Sequence, residues 1–469
     1  MNRLGHGARA GLVIAAVISG LPGTAAAAVR YAAPGGAGPE ATCPASNPCD
    51  LSKAVEGPSV ANGDEVVVLP GRHQLPGDDP TDSESGINPL TIRKAINVHG
   101  TAGAPPTIVA GPDGGAVYLD NPDAVLSDVI VEGTGLGLAA GLAERVLVMT
   151  PKNFACYFDK YRTLAQPAPV LRDSVCFGEP DNQTISTGVG ASVSPVQPPR
   201  ALAGKLVNVT AIGTQGISIG ALGGSTATVE GTNVIAIGSA RGVDVGAYTE
   251  SGVDTAPDGA GATVSLTNSN YETTEVTGPG ASVTPPGTGT NQTAEPVLAS
   301  PSTGDARQVT GSPTIDAGAT VPLLGSFDFE GQPRVQGPAP DIGGDEGSVA
   351  APFMLSAAAQ RAIRDLEIDL RCQIPVCGLG ISGTVRVRGG HAKRARSSPR
   401  AAHSFDLVPR SLTLVSGERK TVKLKLDGGS RRKVEALLED GAKAQALVEV
   451  DTGESGYADR EKVKIKPGG

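Results

Sequence analysis

Three charged residues in this chain sit where chemistry could be done. Asp128, Arg145 and Asp173 each occupy the third position of a short, recurring apolar pattern. Two carboxylates flanking a guanidinium are the raw material for acid–base work on a polymer, and clustered carboxylates can hold calcium. If the pattern stacks, Asp128 and Asp173 stand about 10 Å apart with Arg145 between them. A hydrolase carboxylate pair needs roughly 5 to 9.5 Å. The spacing is marginal, and an Asp-Arg-Asp stack reads more simply as a salt-bridged ladder of turns. A second acidic group, Asp244, Glu250 and Asp254, lies on a Gly-rich stretch and is a weak candidate for calcium. No other cofactor is expected. Histidine is scarce, with five in all.

The elements that must position these residues are repeats. The pattern recurs as Leu126–Val131, Ala143–Val148, Leu171–Cys176, Leu206–Ala211, Gly231–Ala236 and Leu266–Tyr271, and its third position continues as Asn208, Asn233 and Asn268. Asn and Asp tolerate the left-handed backbone and bond their own backbone in turns. One rung apart, about 4.8 Å, Asn amides can also bond one another as a ladder. A unit of one or two short strands cannot bury its own apolar face, so it must stack on the next. The expected fold is all-β: a right-handed parallel β-helix solenoid followed by a small C-terminal β-sandwich-like module.

Composition fits this reading. The chain has 469 residues, 64 Gly and 37 Pro, which suits many tight turns. Aromatics are 3% and Trp is absent, a shortage that counts against a dedicated sugar cleft. Residues 361–469 hold 22 Lys+Arg against 14 Asp+Glu, leaving 17 against 34 for residues 1–360. An acidic body therefore carries a basic tail, which could meet an anionic envelope polymer or membrane surface. The scarcity of aromatics among its cations, Lys393 to Arg400 included, argues against nucleic acid. Six cysteines suggest pairs by proximity: Cys43–Cys49, Cys156–Cys176 and Cys372–Cys377.

Residues 1–28 read as a signal peptide, with Arg3 and Arg9, an apolar run over 10–20 and small residues to Ala28. No later stretch is long enough to span a bilayer. Residues 29–350 are assigned to the β-helix, with an N-terminal cap over 29–72. Asp50 caps a helix over Leu51–Val55, and Val66–Leu69 forms a strand. Thr150–Pro169, with Phe154, Tyr157, Phe158 and Tyr161, reads as an insertion that Cys156–Cys176 ties to the body, its rings packing on the wall or lining a groove. Residues 351–382 read as a linker with a short helix over Leu355–Ile363. Residues 383–469 form the C-terminal β module, with one amphipathic helix over Ser430–Glu439.

The opening stretch, Tyr31–Gly36, Cys43…Cys49-Asp50-Leu51 and Asn62–Gly71, resembles secreted bacterial right-handed β-helix proteins of the pectate-lyase-like kind. Residues 311–347 carry Ser-Pro-x-Ile-Asp-x-Gly, Asp-x-x-Gly-x-x-Arg and Asp-Ile-Gly-x-x-Glu, and so resemble the closing motif of surface proteins grouped as choice-of-anchor Q. The resemblance implies an exported protein held at the cell envelope or released. It points to Asp316, Asp328, Arg334, Asp341 and Glu346 as closing-motif residues. An Asp328–Arg334 pair and turns fixed by Asp316 and Asp341 are expected to cap the last rung. Folds of this type host lyases and hydrolases or no enzyme at all. The polygalacturonase-type Asn-Thr-Asp, Asp-Asp, Gly-His-Gly and Arg-Ile-Lys set is missing. The expected function is non-catalytic: structural or adhesive binding, with polysaccharide of the cell envelope or environment as partner, by a monomer. The alternative is a lyase or hydrolase acting on an acidic polysaccharide.

Overall fold

A computed structural model describes residues 27–75, 90–101, 103–109, 117–133, 135–151, 153–159, 167–179, 186–193, 201–248, 259–347, 353–358, 360–373, 376–388, 402–415, 417–452 and 458–466. Residues 1–26 of the signal stretch, Tyr161, Glu250, Asp254 and Lys393 to Arg400 lie outside the described residues.

The body is a parallel β-helix, an 18-stranded coil in which each strand pairs in parallel with its counterpart one turn away. Its rungs are clearest in Ala201–Leu222 and Thr226–Tyr248, which pair along nearly their whole length. Each rung crosses three faces. Lys205–Val207 lies on a first face that continues up through Glu230–Thr232 and down through Val170–Arg172. Val209–Ile212 lies on a second, stacked on Ser174–Phe177. Gln215–Leu222 lies on a third, stacked on Thr187–Val193 and on Arg241–Tyr248.

The corner between the first two faces is made by the repeated third position. Asp128, Arg145, Asp173, Asn208, Asn233 and Asn268 all have φ between 48° and 56°. A left-handed residue turns the chain sharply, and the alternation restarts on the next face. Val, Ile and Leu then point inward on both sides, as with Leu206, Val209 and Ala211, each at most 1% exposed. Each such side chain contributes roughly 1.5–3 kcal/mol of burial.

The lower end is covered by the helix Leu51–Glu56. Asp50 accepts a hydrogen bond from Lys53 N at 2.9 Å, and Leu51, Ala54 and Val55 are buried in the same core as the first rungs. The three disulfides are Cys43–Cys49, Cys156–Cys176 and Cys372–Cys377.

Within the stretch expected as an insertion, Thr150–Pro169, the described residues 153–158 belong to the solenoid itself. Asn153–Phe158 is a regular third-face strand, in register with Leu136–Leu138 and Ser186–Val193. Cys156 and Phe158 point into the core, at 0% and 1% exposed, so Cys156–Cys176 crosses the solenoid interior from the third face to the second. Removing it with Cys156→Ala/Cys176→Ala is expected to cost about 3 kcal/mol for a loop of this length, read as a lower urea midpoint.

The stretch expected as linker and helix over 351–382 contains strands instead. Phe353–Ser356 pairs antiparallel with Glu367–Cys372, which pairs with Arg419–Lys423. Apolar residues at alternate positions, Ile368, Leu370 and Cys372, face the module core, which a strand satisfies and a helix would scatter. The second sheet runs Gln360–Ala362, Ala458–Lys466, Lys443–Asp451, Val376–Arg388 and Ala402–Asp406, with Arg410–Val415 also on Val376–Arg388. The helix Gly428–Glu439, capped by Asp427, buries Val434 and Leu438 in the same core. No helix among the described residues is long and apolar enough to cross a membrane.

Candidate functional site

The corner ladder is built from side chains that bond along the solenoid axis. Arg145 donates from Nε and Nη2 to the two oxygens of Asp128, both at 2.8 Å, and from Nη1 to Glu144 Oε1 at 2.7 Å. These acceptors raise the guanidinium pKa further, against the effect of burial. Arg145 is therefore committed to Asp128 and Glu144 and does not bridge to Asp173. Glu144 also takes Arg172, so charge alternates sideways across the first face. Asp173 begins an amide ladder: Asn208 Nδ2 donates to Asp173 Oδ1 at 2.8 Å, and Asn233 Nδ2 donates to Asn208 Oδ1 at 2.8 Å. Asn268 continues the left-handed corner, its Oδ1 accepting from the Thr290 hydroxyl.

Asp173 is fully buried because the closing motif lies over it. Residues 311–347 do not cap the last rung. They run down the side of the solenoid and cover the corner. Ala319 N donates to Asn233 Oδ1, Gly343 N to Asn233 O, and Gly344 N to Thr210 Oγ1. Arg172 Nη1 reaches Leu323 O, and a Cβ on Gly325 would stand 1.8 Å from Asp173 Oδ2. The reason for the lateral course is apolar. Val175, Phe177 and Ile212 point outward on the second face and are buried beneath Leu298, Ala306 and Phe329.

Arg334 organises this segment. Its guanidinium, 1% exposed, donates to the carbonyls of Gly344, Asp341 and Gly343 at 2.7–2.9 Å, and its Nε lies 3.6 Å from both Asp173 Oδ1 and Glu346 Oε2. The expected Asp328–Arg334 pair gives way to capping of backbone. Asp328 accepts from the amides of Glu330, Gln332 and Glu346. Asp341 accepts from Asp316 N and Gly347 N, and Glu346 from Gln336 N and Asp341 N. Asp316 takes the left-handed conformation at φ 54°. Burial pushes the carboxyls up: Asp173 to about 6, Glu346 to about 7 and Asp345 to about 8, with Asp328 and Asp341 raised as well. These groups hold the segment to the wall and leave no room for a substrate at Asp173.

The third face offers a different arrangement. One in-register row runs Tyr118, Gly137, Tyr157, Gly190, Ser218, Asp244, Glu275. At the neighbouring corner a second row runs Phe154, Thr187, Gln215, Arg241. The rings of Tyr118 and Phe154 each lie 6.5 Å from that of Tyr157, tilted at 40° and 46°. The glycines make this possible. A Cβ on Gly137 would meet Tyr118 at 2.3 Å and Tyr157 at 2.8 Å, and one on Gly190 would meet Phe154 at 2.1 Å. The rings thus lie down along the wall instead of projecting. Tyr118 is buried, while Tyr157 and Phe154 are half-buried.

The other half of the row is polar. Gln215 Nε2 donates to Asp244 Oδ2 at 2.8 Å, and Arg241 pairs with Glu275. Burial raises the Asp244 pKa, and Arg241 works against that rise. Among the described residues no group of three or more His, Cys, Asp or Glu is placed to hold a metal ion. Of the calcium candidates only Asp244 lies among the described residues, and Arg241 stands near it and Glu275. Asp244 was legible as an acidic residue on a Gly-rich stretch. Its row partners were not, although Ser218 and Asp244 stand at nearly equal offsets from Asn208 and Asn233.

No family model matches the chain, and neither does any curated protein. Among solved structures the chain is similar to the enzymatically active domain of bacteriophage CBA120 tailspike protein 2. Identity there is 10% and TM-score 0.21, with 88% of this chain and 73% of that chain covered. It is also similar to the Acinetobacter phage vB_ApiP_P1 tailspike protein, at 10% identity and TM-score 0.19, covering 89% and 84%. The β-helix assignment stands on the strand register described above.

Proposed function

We propose that this chain is an exported, non-catalytic β-helix protein of the pectate-lyase-like kind, closed by a choice-of-anchor Q type motif, that binds polysaccharide along its third face. The observation that carries the reading is the in-register row from Tyr118 to Glu275. Half-buried rings stack on the apolar faces of sugars, and an adjoining line of amide, carboxylate and guanidinium groups suits their hydroxyls. A row that repeats once per rung matches a ligand that itself repeats. Export is supported by the signal-like start and by three disulfides, which persist in oxidising compartments.

The corner ladder supports a reading without turnover. Asp173 is sealed, and Arg145 and Asp128 are locked in a two-pronged ion pair. The test incubates residues 29–469 with neutral and anionic glycans, with and without calcium, following unsaturated products, reducing ends and retention on insoluble polymer. Retention without products is expected, and Tyr157→Ala should weaken it about tenfold, the order of one lost stacking contact. Cleavage abolished by Asp128→Ala or Asp173→Ala would establish the lyase or hydrolase reading instead.

A further inference from the structure

The C-terminal module presents a flat cationic sheet face. Ala458–Lys466, Lys443–Asp451 and Val376–Arg388 are adjacent antiparallel strands, and their alternation is strict. Val385, Val387, Ala444, Ala446, Val463 and Ile465 face the core. The opposite side chains on the same strands are Arg386, Arg388, Lys443, Lys462, Lys464 and Lys466, all exposed. Register brings them into a lattice. Arg388 pairs with Lys443, Arg386 with Gln445, and Gln445 with Lys464. Neighbours across strands stand about 5 Å apart, and alternate residues along a strand about 6.8 Å.

These cations form no ion pair among the described residues. Of the carboxylates on the same face, Glu449 lies toward the other end and is taken by Arg460, while Asp406, opposite Thr384, stands at the edge beside Arg386. Six like charges on one sheet face repel one another, which a folded module does not need for its own stability. The rest of the chain is acidic, so an anionic ligand is turned away from the body and drawn to this face.

We propose that this face is a docking surface for a polyuronate, a polysaccharide bearing one carboxylate per sugar ring. The site is separate from the third face of the β-helix and does not depend on it. A flat, evenly spaced lattice fits an extended polymer with regularly repeated single charges. Arg386 and Arg388 offer the planar fork that matches a carboxylate. Among the described residues the face has no aromatic ring for base stacking, which sets it apart from a single-stranded nucleic-acid site. It has no apolar ridge to enter a bilayer.

The experiment uses residues 29–469, sodium polygalacturonate as probe, chelator throughout, and a series of salt concentrations. Binding is expected to weaken steeply with salt. The variant Arg386→Gln/Lys443→Gln/Lys464→Gln should raise the dissociation constant at least about tenfold at low salt and lower the slope of log K against log salt by about two. Its thermal midpoint should stay unchanged, since exposed substitutions of this kind shift stability little. The proposal is overturned if the triple variant binds as the parent does or if no binding is measured. Tighter binding to polyphosphate, phosphatidylglycerol vesicles or oligothymidylate than to polygalacturonate also overturns it.

Discussion

Replacing Arg334 with methionine is expected to release residues 311–347 from the solenoid wall. The guanidinium is 1% exposed and satisfies three carbonyls, those of Gly344, Asp341 and Gly343. It is also the cation nearest to both Asp173 and Glu346, at 3.6 Å from each. Methionine fills much of the volume but leaves the carbonyls of Asp341 and Gly343 unpaired, strips Glu346 of its nearest cation and leaves Asp173 with Arg172 alone, at 3.8 Å. Breaking a buried pair of this kind costs about 3–5 kcal/mol, because the partner is stranded and not merely released. The loss should be local, since the solenoid core beneath is continuous without this segment. Amide exchange at Asp316, Glu346 and Gly347 should accelerate by two or more orders of magnitude. Inward-facing amides such as those of Val209 and Val234 should keep their protection. Uniform acceleration across all rungs would mean that the segment and the solenoid unfold as one unit. The same variant should open Asp173 to solvent, which gives a direct check on why this carboxyl is unavailable to a substrate.

Much of the solenoid could be read from residue types, because its geometry is repeated and local. Asn and Asp at the third position mark the left-handed corner wherever they occur, and Arg145 was found at the same place only because the pattern around it held. What local pattern could not supply was the return of the chain. Arg172 meets Leu323 across 151 residues and Asn233 meets Ala319 across 86. Neither end carries a feature that names the other. The closing motif was recognisable as a motif, but its position depends on outward apolar residues, Val175, Phe177 and Ile212, which in sequence look like any buried strand residues. The third-face row was hidden for a related reason. Cys156 and the aromatics around it interrupt the apolar pattern, so a regular strand looked like an insertion. Gly137 and Gly190 acquire meaning only once register sets them beside rings.

The same segment should loosen as pH rises. Asp345 is 3% exposed, and burial first, then the neighbouring charges of Asp328, Glu330 and Asp341, push its carboxyl up to about 8. Glu346, 1% exposed, is raised to about 7, chiefly by burial, although two backbone amides favour its ionised form. Unfolded, an Asp titrates near pH 3.9 and a Glu near 4.3. A carboxyl whose folded pKa lies above its unfolded one binds more protons when folded. Its stabilisation is complete below about pH 4 and is lost progressively as pH climbs through the folded value. The window for Asp345 therefore runs from about pH 4 to about 8, and a displacement of that size is worth on the order of 5 kcal/mol. The amide of Gln308, which donates to Asp345 Oδ2 at 2.6 Å, partly offsets it. Exchange of the segment amides, corrected for the intrinsic pH dependence of exchange, should show opening that increases from pH 5 to pH 9. Asp345→Asn keeps an acceptor for Gln308 N and cannot ionise, so it should flatten the profile. If the variant retains the full pH dependence, the burden falls on Glu346 and Asp173 instead, and Glu346→Gln becomes the discriminating substitution. If opening decreases from pH 5 to pH 9 in the parent chain, the ionised forms are the ones the backbone amides hold, and hydrogen bonding outweighs burial at this corner.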